Sequence, residues 1–270
     1  QADDSPLWMR YCAISPDGQT IAFSYQGDIY TVPSSGGKAR QLTTHPAHDT
    51  RPVWSPDGQK IAFASNRSGN FDVFLMNKEG GEPKRLTTHS TNEYPTTFKD
   101  NGHILYLANI LQDAKDIQFP GTRFMQVYEI STDGGRPDLY SSLYMENIAL
   151  SKDGSKLLYN DYKGYEDPWR KHHQSSITRD IWLCTLGKDR SFQKVTTFGG
   201  EDRNPVWGAA DGASFYYLSE EKGSFNIFKK DLAGNSEKQI TTHTTHPVRF
   251  LTSDNSGTLC YSYDGEIYTV

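Results

Sequence analysis

Apolar residues fall in short runs along this chain, and the same runs keep returning. One set reads Ile21-Ala22-Phe23, Ile61-Ala62-Phe63, Ile104-Leu105-Tyr106, Leu157-Leu158-Tyr159, Phe215-Tyr216-Tyr217 and Leu259-Cys260-Tyr261. A second set follows each of these: Ile29-Tyr30, Val73-Phe74, Val127-Tyr128, Ile181-Trp182, Ile227-Phe228 and Ile267-Tyr268. Short runs rich in β-branched and aromatic residues, bounded by turn residues, predict strands. Entry strands precede the first set, often behind proline: Pro52-Val53-Trp54, Pro95 to Phe98, Pro205-Val206-Trp207 and Pro247 to Phe250. Outer strands close the pattern at Gln41-Leu42-Thr43, Arg85-Leu86-Thr87, Lys194-Val195-Thr196 and Gln239-Ile240-Thr241. No segment carries an apolar stripe at the helical period.

The turns repeat as well. Ser15-Pro16-Asp17-Gly18 returns as Ser55-Pro56-Asp57-Gly58, with worn copies ending at Gly102, Gly154, Gly212 and Gly257. Successive glycines are 40, 44, 52, 58 and 45 residues apart. A four-stranded unit at this period predicts an all-β, six-bladed β-propeller of antiparallel blades. A β-sandwich also has short strands and many turns, but it does not repeat one turn sequence at this period. One domain is expected over 1–270, with blades near 10–45, 50–89, 93–142, 146–198, 203–243 and 246–270. The last repeat stops after its third strand, Glu266 to Val270. The chain is therefore expected to be the N-terminal part of a longer multidomain protein, with Pro6 to Arg10 the better segment for a missing outer strand.

Composition narrows the function. Aromatic residues make up 13% of the 270 residues, which suits strands, and the net charge of −5 argues against a nucleic-acid partner. No apolar run is long enough to span a membrane as a helix. Cys12, Cys184 and Cys260 lie far apart, without metal spacing. The opening Gln1-Ala2-Asp3-Asp4-Ser5-Pro6 lacks an initiator methionine, so an exported or periplasmic protein with its signal removed is expected, or a trimmed chain.

The string from Ser15-Pro16-Asp17-Gly18 through Ile21-Ala22-Phe23 and Ile29-Tyr30 to Leu42-Thr43 resembles the WD40-like repeat of TolB and tricorn-protease propellers. The resemblance covers nearly the whole chain, strongest in the first two repeats and most worn in the third and fourth. With Leu7-Trp8-Met9-Arg10-Tyr11 ahead of the first repeat, the chain looks most like the N-terminal propeller of bacterial tricorn-like peptidases of the S41 class. That resemblance implies a non-catalytic domain that binds, filters or gates peptide for a serine protease module downstream. The implied partners are peptide or protein segments and later domains of the same polypeptide. No catalytic residue carries over. A TolB-like periplasmic interaction propeller and a stand-alone propeller hydrolase or lyase with an axial site are the alternatives. Cys12 departs from the pattern, standing where other copies have proline.

In a four-stranded meander the tight Asp-Gly and Gly-Gly turns share one face, and the long connections share the other. Function is expected on the loop-rich face. Two long links emerge there, from Asn109 to Gln126 and from Asp161 to Arg179. They offer Arg123, Phe124, Tyr165, Trp169, Arg170, His172 and His173 as binding candidates, since Trp, Tyr and Arg favour binding hot spots. Near the axis the candidates are Arg51, Glu93, Tyr94, Glu146, Arg203 and His246. A metal would need convergent ligands, and His48, Asp49, Glu93, Glu146, Asp202 and His246 show no ligand spacing. No metal and no cofactor is expected. Residues repeated in register read as structural: the serines of the turns, the Thr-Thr-His histidines His45, His89 and His243, and Asp28, Asp72, Asp180, Asn226 and Glu266, expected to cap turn amides. No nucleophile elbow, phosphate loop or zincin motif appears.

Overall fold

The computed structural model describes residues 8–110, 125–163, 176–208, 212–234 and 236–270. Among these, strands β1 to β23 in chain order form six separate antiparallel sheets. Five sheets have four strands in plain meander order, and the sixth has three: β21 (Arg249–Ser253), β22 (Leu259–Tyr263) and β23 (Glu266–Thr269). The first strands of the blades are β1 (Arg10–Ile14), β5 (Asp49–Trp54), β9 (Glu93–Asp100), β13 (Glu146–Leu150), β17 (Asp202–Trp207) and β21. Each touches the first strand of the next blade, and β21 returns to β1. The molecule is a closed six-bladed propeller.

Its core lies between blades. Six apolar clusters occur, one at each blade interface. The second strands are sealed on both sides: Ile61, Ala62, Phe63 and Ala64 are fully buried. This explains why they read as continuous apolar runs rather than alternating ones. Burying a side chain the size of Phe63 is worth about 1.5–3 kcal/mol, and stacking gives both faces of each blade that gain.

Among the described residues the ring closes without a strand exchanged between its ends. Cys12, Ile14, Ile21 and Phe23 of the first blade pack on Cys260, Phe250 and Ile267 of the last. The Ile14 amide donates to Thr252 Oγ1 at 3.1 Å, and the Asn255 amide donates to the Pro16 carbonyl at 3.0 Å. Of the segment Pro6 to Arg10, the described part adds no outer strand to blade six. Arg10 starts the innermost strand of blade one, and the Met9 amide bonds the Gly265 carbonyl in a turn of blade six. Pro6 and Leu7 lie outside the described residues.

The repeated polar residues hold turns and strand ends. Ser15, Ser55 and Ser151 each donate to the aspartate two residues on, at 2.5–2.6 Å. Each hydroxyl also accepts an amide from the next strand at 2.9–3.0 Å. These bonds hold the Asp17 and Asp57 carboxyls below the usual range and lower Asp153 to about 2. Gly18 has φ +73°, and a Cβ there would press on the Asp254 carboxylate of the neighbouring blade. Glycine is therefore favoured at that position.

The residues expected to cap turn amides have a further duty at the strand ends. Thr43 donates to Asp28 at 3.1 Å and Thr241 donates to Asn226 at 2.9 Å. The same hydroxyls accept the amides of Ile29 and Ile227 at 2.9 Å. Thr87 and Thr196 accept the equivalent amides of Val73 and Ile181. The pair clamps the end of the outer strand to the third strand, and Asn226 also accepts the His243 amide at 2.8 Å, the capping role expected of it.

Candidate functional site at the axial mouth

Every first strand carries a β-bulge. In β5, Arg51 and Pro52 stand opposite Phe63 alone, and in β17 Asn204 and Pro205 stand opposite Tyr217 alone. The first bulged residue is left-handed in five blades: Tyr11 (φ 52°), Arg51 (56°), Asn147 (51°), Asn204 (54°) and Phe250 (55°). In blade three this place falls to Pro95, opposite Tyr106. Its ring holds φ negative, and that residue is absent from the left-handed set. Cys12 thus aligns with Pro52 and Pro205, whereas Pro95 stands one position earlier.

Bulges re-aim side chains and recur beside functional sites. Here the first bulged residue of every blade faces the axial cavity, and in blades three to six so does the residue before it. The first bulged residues are Tyr11, Arg51, Pro95, Asn147, Asn204 and Phe250. The residues just before them are Arg10, Thr50, Tyr94, Glu146, Arg203 and Arg249. Most of this double ring lines an axial cavity of about 1040 Å³, which Arg179 and Tyr144 also border.

The cavity's electrostatics are uneven around the ring. Glu146 is locked: it accepts from Arg179 Nε at 2.7 Å, Asn160 at 3.0 Å and Tyr144 at 3.0 Å. Glu201 bridges Arg179 and Arg203 at 3.2 and 3.4 Å. The Arg203 guanidinium lies 4.0 Å over the Phe225 ring. Burial lowers its pKa, reinforced by Arg179 and Arg249 and opposed by Glu201 and Glu146. Burial also lowers Arg249, with Arg10 adding to the shift. On the other side, Arg51 lies 4.2 Å over Tyr94 and 5.3 Å over Tyr11. Tyr11 in turn packs on Phe250 at 4.5 Å. The lining is an interleaved set of guanidinium groups and aromatic rings.

Arg51, Tyr94, Glu146 and Arg203 of the axial candidates meet in this cavity. Glu93 and His246 do not. Glu93 is the residue before Tyr94, so the strand turns it away from the axis, where it is buried beside Asp72, Thr87 and the His89 amide. Burial raises its pKa to about 7. Asp202 has the same place in blade five, next to Ser219 and Thr196, and is also raised by burial to about 7. Their counterpart Asp49 is held by Arg67 at 2.9 Å. His246 is half-exposed, 3.3 Å from Asp264. His48 rests edge-on against Phe71. Among the described residues no three His, Cys, Asp or Glu side chains converge as metal ligands. Arg123, Phe124, Tyr165, Trp169, Arg170, His172 and His173 lie outside the described residues.

A family model for the tricorn protease N-terminal β-propeller domain matches residues 6–270. The chain belongs to that family. The tricorn protease homologue of Saccharolobus solfataricus is 23% identical over 268 residues, covering 96% of this chain and 23% of that protein. The tricorn protease of Thermoplasma volcanium is 24% identical over 267 residues, covering 94% and 24%. In structure, this tricorn-type propeller superposes on the crystal structure of the tricorn protease with a TM-score of 0.79. The identity is 21%, over 98% of this chain and 25% of the other. A putative TolB from Agrobacterium tumefaciens gives 0.69 at 16% identity, over 98% and 90%. The chain spans about a quarter of the length of the tricorn relatives.

Proposed function

We propose that this tricorn-type propeller binds peptide at its axial mouth and gates its passage to or from a serine protease module of the S41 type in a longer chain. The observation that carries this reading is the axial cavity, lined from every blade, in which Arg51 and Arg203 stack on aromatic rings. Such a lining offers peptides both hydrogen-bond donors and flat apolar surface. Its chemistry suits holding rather than cleaving, because the cavity's glutamate is tied up by Arg179 and Tyr144. The names of the tricorn relatives supply the protease context.

The test is photocrosslinking of a benzophenone-bearing peptide to the chain, followed by mapping of the labelled residues. Labelling is expected at Tyr94, Phe250 and their neighbours around the mouth. Labelling concentrated at the opposite turns, Gly36-Gly37 and Gly80-Gly81, would overturn the reading.

A further inference from the structure

Arg51 lines the axial cavity between two aromatic rings. Its guanidinium is stacked between Tyr94 at 4.2 Å and Tyr11 at 5.3 Å. Among the described residues it forms no ion pair with a carboxylate. A stacked guanidinium spends its flat face on the rings and keeps its N–H edge for a planar, bidentate acceptor. The two rings fix its orientation, so little rotamer freedom remains to be lost on binding. The bulge supplies the aim, since Arg51 sits at the left-handed position that turns it toward the cavity.

Two more guanidiniums, Arg203 and Arg249, face the same cavity from blades five and six. They lie close enough for each other's charge to be felt. This concentration of cations belongs to a chain whose net charge is −5, so it is a local feature and not the tone of the whole surface. Of the carboxylates in the same lining, Glu146 is paired with Arg179, Asp100 with His103, and Asp254 is held by Ser256 and Thr258, which leaves the Arg51 edge free to attract a counter-charged ligand.

We infer that the stacked Arg51, with Arg203 and Arg249 facing the same cavity, receives the side-chain carboxylates of acidic peptide segments. The inference rests on the peptide-binding reading above and gives that site its ligand class. Neighbouring Tyr94, Tyr11 and Phe250 would take an aromatic or apolar residue beside the acidic one.

The test uses three fluorescent peptides of equal length, each containing one tyrosine and each amidated at its C-terminus, so that no terminal carboxylate contributes. They are rich in Glu, Gln or Lys. The Glu peptide should bind about tenfold more tightly than the Gln peptide, as expected for charge-assisted over neutral hydrogen bonds. That advantage should shrink with salt. Arg51→Gln should remove most of that advantage, weakening the Glu peptide by much more than the Gln peptide. Tyr94→Leu, which keeps the charge but loses the stack, should weaken the Glu peptide partially. Retained thermal unfolding midpoints will show that the variants are folded. Equal binding of Glu and Gln peptides, or equal losses for both in Arg51→Gln, would overturn the charge selection while leaving peptide binding intact. Binding of a short oligonucleotide in an Arg51-dependent way, with none of the three peptides bound, would overturn both.

Discussion

The indole N–H of Trp54 donates to the carbonyl oxygen of Ala13 at 2.8 Å, joining the innermost strands of blades one and two. Trp207 makes the same bond to Ala149 at 2.9 Å, between blades four and five. Both tryptophans are buried, so the bond satisfies a donor that would otherwise be stranded. Trp54→Phe keeps most of the packing, loses the bond and leaves the Ala13 carbonyl without that partner. It should cost about 1–2 kcal/mol. Trp54→Ala should cost about 3–5 kcal/mol by opening a cavity at the interface. Urea denaturation of the two variants beside the parent chain measures both, and a Phe variant as stable as the parent would show that packing alone matters there.

Stability should fall as pH rises from about 4 to about 7. Glu93 and Asp202 are each raised by burial to about 7, from ordinary values of 4.5 and 3.8. In that window the folded chain holds protons on them that the unfolded chain has released, so raising the pH favours unfolding. Asp72 faces Glu93 and is also raised by burial; Glu237 and Asp180 add to the shift at Asp202. His243, lowered by burial, pulls the other way as a single group. Asp17, Asp57 and Asp153, with depressed values, support stability above the ordinary carboxylate range and lose it as pH falls through their folded values. Glu93→Gln with Asp202→Asn should flatten the decline between pH 5 and 8. Urea midpoints across that range decide it, and an unchanged slope in the double variant would assign the decline to other groups.

Much of the fold was legible because a propeller writes its register into its turns. Counting back from the turn glycine, Arg10, Thr50, Tyr94, Glu146 and Arg249 all stand eight residues before Gly18, Gly58, Gly102, Gly154 and Gly257. Arg203 stands nine before Gly212, where the turn is one residue longer. That count alone gives the inner ring, including Arg249, which alignment on proline misses. Proline misleads because Pro95 sits at the first bulge position and Pro52 at the second. The bulge itself was not legible. It decides that Tyr11, Arg51 and Phe250 face the cavity, and nothing in their side chains announces a left-handed residue. Arg179 was missed for another reason. It comes from the connection before a third strand, borders the cavity and pairs there with Glu146, a contact with no counterpart in the other repeats among the described residues.

That contact supports the last prediction. Arg179 Nε lies 2.7 Å from Glu146 Oε2, and Nη1 lies 3.2 Å from Glu201 Oε1, with the side chains largely buried. The acidic neighbours raise the Arg179 pKa against the opposing effect of burial. Removing the cation strands two carboxylates, whereas removing both partners of the main pair strands fewer. Arg179→Met should therefore cost about 3 kcal/mol. Glu146→Gln should cost less, because its amide still accepts from Tyr144. The double variant should cost clearly less than the sum, with a coupling of about 1–3 kcal/mol for groups in direct contact. Chemical denaturation of the four proteins completes the cycle. Strict additivity would mean that Arg179 serves the mouth by packing on Tyr162, 5.4 Å from its guanidinium, and not by its charge.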